Sequence, residues 1–473
     1  MMQQYREAKA RHPGMMLFFR NGDFYELFEE DAELGARLLG ITLTRRDKSI
    51  PMAGVPHHAL ERYLGKLLQL GHRVAICEQM EDASQAKGII RREVNRVVTP
   101  GTVTEDGLLD PRRSNHLASV FPVCGRHATV GLAWVELSTG QFQAADVPPT
   151  RLMDELGRLT PSECLYPENL ASDLPASLRE TFPEMTLSSR PDWNFDSATA
   201  RASLHNHFKV TTLTGFGFDD HQPCLVAAGA LLQYLGETLK ATLPHLTRLR
   251  PYRQEHCLFL DEVTRRSLEL TRTLRDNDRQ GSLLWALDRA VTAMGARLLQ
   301  EWLASPLGQR DEIERRLDAV EEFVRDATLR QDVRELLREV LDLQRLTARV
   351  GTNRASPRDL ASIARTLRLL PRFKAQLSAR QSALLRHLES RLELCADLRE
   401  VLDAALTDDP PVNPREGNVI RQGYDAELDS LRALSSNGKN WVASYQASEI
   451  TRTGINSLKV GYNQVAGYYI EVT

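Results

Sequence analysis

Gly22-Asp23-Phe24-Tyr25-Glu26-Leu27-Phe28 places an aromatic ring and a carboxylate two positions apart, behind a glycine. Two readings compete for it. Asp23 followed three residues later by Glu26 fits a capping box, with Asp23 as N-cap and Glu26 at N3, and predicts a helix from Tyr25 to Leu39. In the other reading the segment tests DNA. A flat ring can enter a base step, and a carboxylate beside it can bond the base edge that the ring disturbs. A defective step costs less to open than a sound one. Arg45, Arg46 and Lys48 follow closely. Alone, the segment reads as a helix start; the rest of the chain shifts the balance.

Working outward, the first 105 residues read as mixed α/β. Met15 to Arg20 is a short apolar strand, and Ile41 to Arg45 is β-rich. Ile50-Pro51-Met52-Ala53-Gly54-Val55-Pro56, with two prolines and a glycine, reads as irregular. Leu60, Tyr63, Leu64, Leu67 and Leu68 recur at helical spacing, and Gly71 suits the C′ position. Arg73 to Cys77 and Val94 to Thr99 read as closing strands. Past a linker at Asp110-Pro111-Arg112-Arg113, His127 to Asp146 alternates as a hairpin that turns at Ser138-Thr139-Gly140. Cys224 to Leu239 is an apolar helix.

From Asp261 to Leu406 glycine becomes scarce and the pattern is all-helical. Leu336, Val340, Leu343 and Val350 mark one stripe, and Leu384, Leu388, Leu392 and Cys395 another. A further helix is expected from Asp425 through Tyr445. The last residues are β-rich, with Leu458 to Tyr462 pairing with Gly467 to Thr473 across a turn at Gln464-Val465-Ala466. The 473 residues suggest about three domains.

Bulk properties restrict function without choosing it. The chain is 42% hydrophobic and 26% charged, with a formal net charge of −3. No apolar run approaches the ~18 residues of a membrane span, and the polar first residues lack a signal peptide's apolar region. A cytoplasmic setting is expected. The six cysteines stand singly, as reduced thiols would. With 60 basic and 63 acidic residues, nucleic-acid binding must rest on local clusters. Arg45, Arg46 and Lys48 form one, and Arg91, Arg92 and Arg96 another.

Catalytic signatures are missing. There is no glycine-rich phosphate cradle ending in Lys-Ser/Thr; Asn437-Gly438-Lys439-Asn440 lacks the upstream glycine and the hydroxyl. His57-His58 and His205-Asn206-His207 lack companions at zinc-ligand spacing. Glu136, Asp146 and Asp154 are the carboxylates that a metal-dependent nuclease would use, at undiagnostic spacing. No metal site and no catalytic residue is assigned. What remains is recognition: Phe24 with Glu26, the Pro51–Pro56 segment and two basic clusters compose a minor-groove reader.

Several ordered blocks carry a resemblance. Gly22 to Phe28 is similar to the Phe-x-Glu signature of the MutS family of DNA mismatch-recognition proteins. Ile50 to Ala59 resembles the neighbouring loop. Ala75-Ile76-Cys77-Glu78-Gln79, Arg96 to Thr102, Thr292 to Arg297 with Trp302-Leu303, Arg421 to Asp425 and Gly467 to Thr473 match as well. The resemblance implies a multidomain α/β plus all-α fold. Residues 1–105 would be a mixed α/β mismatch-binding domain and 113–240 an RNase H-like α/β connector. Residues 245–425 would be a long-helix core and lever, and 426–473 the start of a β-rich clamp.

The same resemblance implies ring stacking by Phe24 on a mispaired base and a hydrogen bond from that base to Glu26. Asn21, Pro51, Met52, Lys459 and Asn463 join the two basic clusters as DNA-contact candidates. Asn21 stands where methionine is usual, and the span from Arg46 to Ile50 is short. The resemblance also implies an ATPase domain beyond residue 473, with ATP and magnesium there and no cofactor in this segment. It implies a homodimer and a MutL-type partner. Two alternatives stay open beside it: a recombination-type homologue that binds branched DNA, and a nuclease on the second domain. A purely helical scaffold is a third.

Overall fold

The computed structural model describes residues 1–473 except 48, 82–89, 126–127, 171–172, 241, 254–255, 437, 464–466 and 473, and omits the side chains of 434–436, 438–441 and 463. The chain forms two compact units, Met1–Ala355 with Arg368–Leu394, and Ser356–Leu367 with Cys395–Thr473.

The first unit begins with a six-stranded mixed sheet. Its strands are β1 (Met16–Asn21), β2 (Phe24–Phe28), β3 (Thr44–Arg46), β4 (Ile50–Pro56), β5 (Val74–Gln79) and β6 (Arg92–Val98), in the order β3-β4-β2-β1-β5-β6. Helices α1 (Met2–Arg11), α2 (Glu29–Leu39) and α3 (Leu60–Gln69) accompany it. The helix ends as its sequence suggests: Gly71, at φ +77°, donates to the Leu68 carbonyl, and His72 to that of Leu67.

Two local expectations fail here. The capping box does not form, because residues 24–28 are a strand and the helix starts only at Glu29, after an extended Phe28. Tyr25 and Leu27 are buried in a cluster with Phe18, Val55, Leu64 and Leu67. Phe28 turns to the opposite face, against Tyr5, Leu17 and Phe19. Burial at period two with ladders on both sides outweighs a cap worth about 1 kcal/mol. Glu29, Glu30 and Asp31 supply the negative charge that the first helical turn favours.

The Pro51–Pro56 segment is also regular, as β4. Pro51 lies opposite only Arg45 of β3, and Pro56 opposite only Phe24 of β2. Each proline therefore faces a single neighbouring strand, where a missing N–H is tolerated.

A second six-stranded sheet follows. It contains β7 (His116–Val123), β8 (Thr129–Glu136), β9 (Gln141–Val147), β10 (Glu163–Pro167), β11 (Thr186–Arg190) and β12 (Leu249–Pro251), ordered β11-β10-β7-β8-β9-β12. β7, β8 and β9 form an antiparallel meander, while β10 runs parallel to β7 and β11 parallel to β10. This is the RNase H-like layout. The β8–β9 turn falls at Ser138–Gly140, as expected, although His127 lies outside the described residues.

Helices α4 (Leu152–Leu159), α5 (Leu174–Thr181), α6 (Ser197–Phe208) and α7 (Pro223–Leu239) flank this sheet. Buried α7 packs so closely that a Cβ on Gly131 would lie 2.3 Å from the Pro223 backbone, and one on Gly229 2.5 Å from Ala200. Glu163 is fully buried where this sheet meets the end of β6. It accepts from Thr99 Oγ1 at 2.5 Å, Gly101 N at 3.1 Å, Ser188 Oγ at 2.6 Å and Tyr234 Oη at 2.7 Å.

Beyond residue 261 the first unit is helical, with helices of up to 16 residues. Both expected stripes are interrupted. Helix Ala327–Glu339 ends before an extended Val340, and helix Leu343–Gly351 starts anew. The Asp342 carboxylate caps Arg345 N and takes both Nη atoms of buried Arg297. Likewise helix Ala383–Arg391 stops at an extended Leu392, and Cys395 has φ +46°. The Asp110–Arg113 linker is tied to these helices. Arg345 Nη2 donates to the Asp110 and Arg113 carbonyls, and Arg297 Nη1 to that of Pro111.

The second unit holds helices Pro357–Leu367, Ala396–Ala405, Ala426–Ser436 and Gly438–Thr453. Of the helix expected from Asp425 through Tyr445, the described residues from Ala426 to Tyr445 are helical, and residue 437 lies outside the described residues. Strands β13 (Lys459–Asn463) and β14 (Gly467–Glu471) pair antiparallel as expected, their turn lying outside the described residues. Among the described residues no helix is long and apolar enough to cross a membrane.

Candidate nucleic-acid interface

A tight two-residue turn, with Gly22 at φ +58°, joins β1 to β2 and pairs Asn21 with Phe24. Alternation along β2 then separates its aromatic residues. Tyr25 is 1% exposed and Phe24 49%. Glycine is at position 54 on β4, opposite Glu26; a Cβ added there would lie 3.9 Å from Phe24 Cδ1. The Phe24 ring therefore lies near bare backbone and keeps half its surface for a partner.

Glu26 shares the sheet face of Phe24. Its Oε1 accepts from Asn21 Nδ2 at 2.9 Å. Its Oε2 is shielded from solvent and accepts no hydrogen bond, with Arg46 Nη1 at 3.7 Å. Arg46 also lies 3.3 Å from Met1 Sδ and over the Phe28 ring. Arg92 reaches in from β6. Its Nη2 donates to Asn21 Oδ1 at 3.2 Å and its Nε to the Arg20 carbonyl at 2.7 Å, and the guanidinium stacks over Phe19. Burial pushes its pKa down from the ordinary arginine value.

The fold thus gathers Asn21, Phe24, Glu26, Arg46 and Arg92. The other candidates are placed differently. Arg45 is exposed on β3. Arg91 is exposed and pairs with Glu93. Arg96 is bonded to Glu105 and is mostly buried. Met52 packs with Ile50 against the Phe28 cluster, and Pro51 is half-buried beside it. Lys48 lies outside the described residues. Lys459 is exposed on the second unit's hairpin, and the Asn463 side chain lies outside the described residues.

From sequence, Arg46 and Arg92 stood out only as members of two basic clusters, without their contacts with Glu26 and Asn21. Those contacts depend on which strands neighbour one another, and no local signal carries that.

The carboxylates Glu136, Asp146 and Asp154 are engaged elsewhere. Glu136 accepts from Ser138 and Thr139, Asp146 from Cys224 N, and Asp154 from Glu262 N. Among the described residues no group of three or more His, Cys, Asp or Glu is placed to hold a metal ion.

Residues 1–107 match the family described as MutS domain I, 115–247 MutS domain II and 263–453 MutS domain III. The chain is 48% identical to the DNA mismatch repair protein MutS of Rhodopirellula baltica, across all of this chain and 55% of that protein. It is 44% identical to the protein of the same name from Salinibacter ruber, across all of this chain and 52% of that one. The chain belongs to the MutS family. It spans about half the length of the curated MutS relatives it matches. Phe24, Glu26 and the strands that carry them fall inside the MutS domain I match.

Proposed function

We propose that this chain binds duplex DNA at mispaired or unpaired bases. Phe24 enters the base step from the minor groove, and Glu26 accepts a hydrogen bond from the base that the ring unstacks. The observation that carries this reading is the pairing of a half-exposed phenylalanine with a carboxylate whose Oε2 has no hydrogen-bond donor, on one sheet face. A wedge must offset a few kcal/mol of unstacking, and a weakened step lowers that cost. Mismatch-repair MutS relatives with identities above 40% support the reading. Exposed Arg45 and Arg91, with Lys48 and Lys459, would supply phosphate contacts.

The domain reading goes with it: residues 1–105 for mismatch binding, 113–240 as connector, 245–425 as core and lever, and 426–473 opening a clamp. For the whole protein we propose ATP turnover with magnesium, homodimerisation and a MutL-type partner, with no catalysis by this segment.

The test is Phe24→Ala, read by fluorescence anisotropy on heteroduplex and matched DNA. Base–aromatic stacking is worth about 1–3 kcal/mol, so the mutant should lose most of its preference for heteroduplex. It should keep a salt-sensitive background affinity, because phosphate contacts come from other residues. Unchanged discrimination would refute the wedge.

A further inference from the structure

Residues 104–113 lead from β6 toward β7, and arginines of the helical region hold them at both ends. The two grips differ. At the near end the grip is ionic and reaches solvent. Arg354 Nη1 donates to Thr104 Oγ1 at 2.6 Å and lies 3.5 Å from Glu105, which also pairs with Arg96 of β6. Arg349 pairs with Asp106, whose carboxylate is more than half exposed. At the far end the grip is buried and falls on backbone. Arg345 Nη2 donates to the carbonyls of Asp110 and Arg113 at 3.0 and 2.9 Å, and Arg297 Nη1 to that of Pro111 at 2.9 Å. These two arginine side chains are 3% and 5% exposed, and Asp342 lies against both.

The two ends answer to different conditions. Ion pairs that reach water weaken as salt shortens the Debye length, about 10 Å at 0.1 M. Arginine–carbonyl bonds sealed from water are screened far less, but a segment that loses its flanking contacts can open locally. Arg113 offers a way to see this. Its side chain is exposed, whereas its carbonyl, the atom a trypsin-like protease attacks, is held by Arg345.

We propose that residues 104–113 form a releasable strap between the first sheet and the helical region. It opens from its ionic end at Glu105 and Asp106, and Arg345 and Arg297 close its buried end. Release leaves the first sheet on its Glu163 joint with the second, and neither sheet has to unfold. The strap owes nothing to Phe24 or Glu26.

The experiment is limited trypsinolysis of the full chain. Mass spectrometry reads the cut after Arg113, and a small substrate normalises trypsin activity at each salt concentration. In wild type the cut should be slow, and should speed up roughly three- to tenfold between about 0.05 and 0.5 M sodium chloride as the outer pairs are screened. Arg349→Met combined with Arg354→Met should reach at least that faster rate at low salt and remove the salt effect. Arg345→Met, which frees the scissile carbonyl, should speed the cut by roughly tenfold or more. If Arg345→Met does not fold, the double variant decides alone, because its substitutions lie at the solvent-reached end.

A wild-type cut that ignores salt overturns the proposal. A double variant that keeps the slow wild-type rate at low salt overturns it too. So does a cut after Arg113 that appears no sooner than one after Arg20 inside β1, since that order marks global unfolding and not the release of a strap.

Discussion

Glu26 and Glu163 are both strand carboxylates withdrawn from water, yet they are served very differently. Glu163 has donors on both oxygens, drawn from the end of β6, from β11 and from α7. Burial first, and then Glu163 itself, push the Tyr234 phenol well above its ordinary pKa, so it stays a donor. Glu26 has one donor, Asn21, and one oxygen without any. A buried carboxylate whose bonds are all made belongs to the frame. One that is half-made stores a need that a ligand can meet. Three substitutions can break or sharpen this contrast.

The largest effect should come from the joint. Glu163→Ala deprives Thr99, Gly101, Ser188 and Tyr234 of a shared acceptor inside the protein. Hydroxyls can turn to other acceptors, but the Gly101 N–H cannot. With two or more hydrogen bonds to a charge lost, destabilisation of about 3–5 kcal/mol is expected. Chemical denaturation followed by tryptophan fluorescence measures it. A loss below about 1 kcal/mol would place Glu163 with Glu26 and erase the distinction.

An intermediate case lies nearby. Glu105 is partly exposed, about as much as Glu26, but its partners are cations: Arg96, and Arg354 at 3.5 Å. Burial raises its pKa, and the two guanidinium groups outweigh that, so it lies below the ordinary carboxylate value. A depressed folded pKa gives stability that is complete above the unfolded value. That stability is lost as pH falls through the folded one. Arg354→Met should therefore raise the pH of acid unfolding and cost about 1.5–3 kcal/mol at neutral pH. Thermal melts between pH 7 and pH 3 show this directly; an unmoved acid limb would remove Arg354 from the account.

The same contrast explains what the sequence revealed. Structure fixed by near neighbours was legible. The α3 stripe ends at Gly71, the β8–β9 hairpin turns at Ser138–Gly140, and β13 meets β14. The two misreadings in the first sheet share one cause. Whether residues 24–28 cap a helix or lie in a sheet depends on β1 and β4, and Pro51 is tolerable only because β2 stops short of it. The helical stripes were broken by the backbone at Val340 and Leu392, where hydrophobic spacing alone gives no warning. Phe24 and Glu26 were legible as a pair. The contact of Arg92 with Asn21 was not, since its side chain reaches β1 from β6, past the intervening β5, and strand order sets that.

The smallest effect on stability should come from Glu26→Ala, and its smallness is the point. Glu26 lies on a partly open face. Removing its carboxylate leaves Asn21 Nδ2 and Arg46, both on side chains that still reach water, free to bond solvent. The shielded Oε2, which contributes no hydrogen bond, disappears with it. The expected change is within about 0.5 kcal/mol. Binding should move in two directions at once. A carboxylate near phosphates repels them, so matched-duplex affinity should rise at low salt while discrimination for heteroduplex falls. Anisotropy titrations on both DNAs, beside a thermal melt, separate the outcomes. Equal weakening on both duplexes with a clearly lowered melting temperature would mean that Glu26 holds the fold as Glu163 does, and that its missing hydrogen bond marks no ligand.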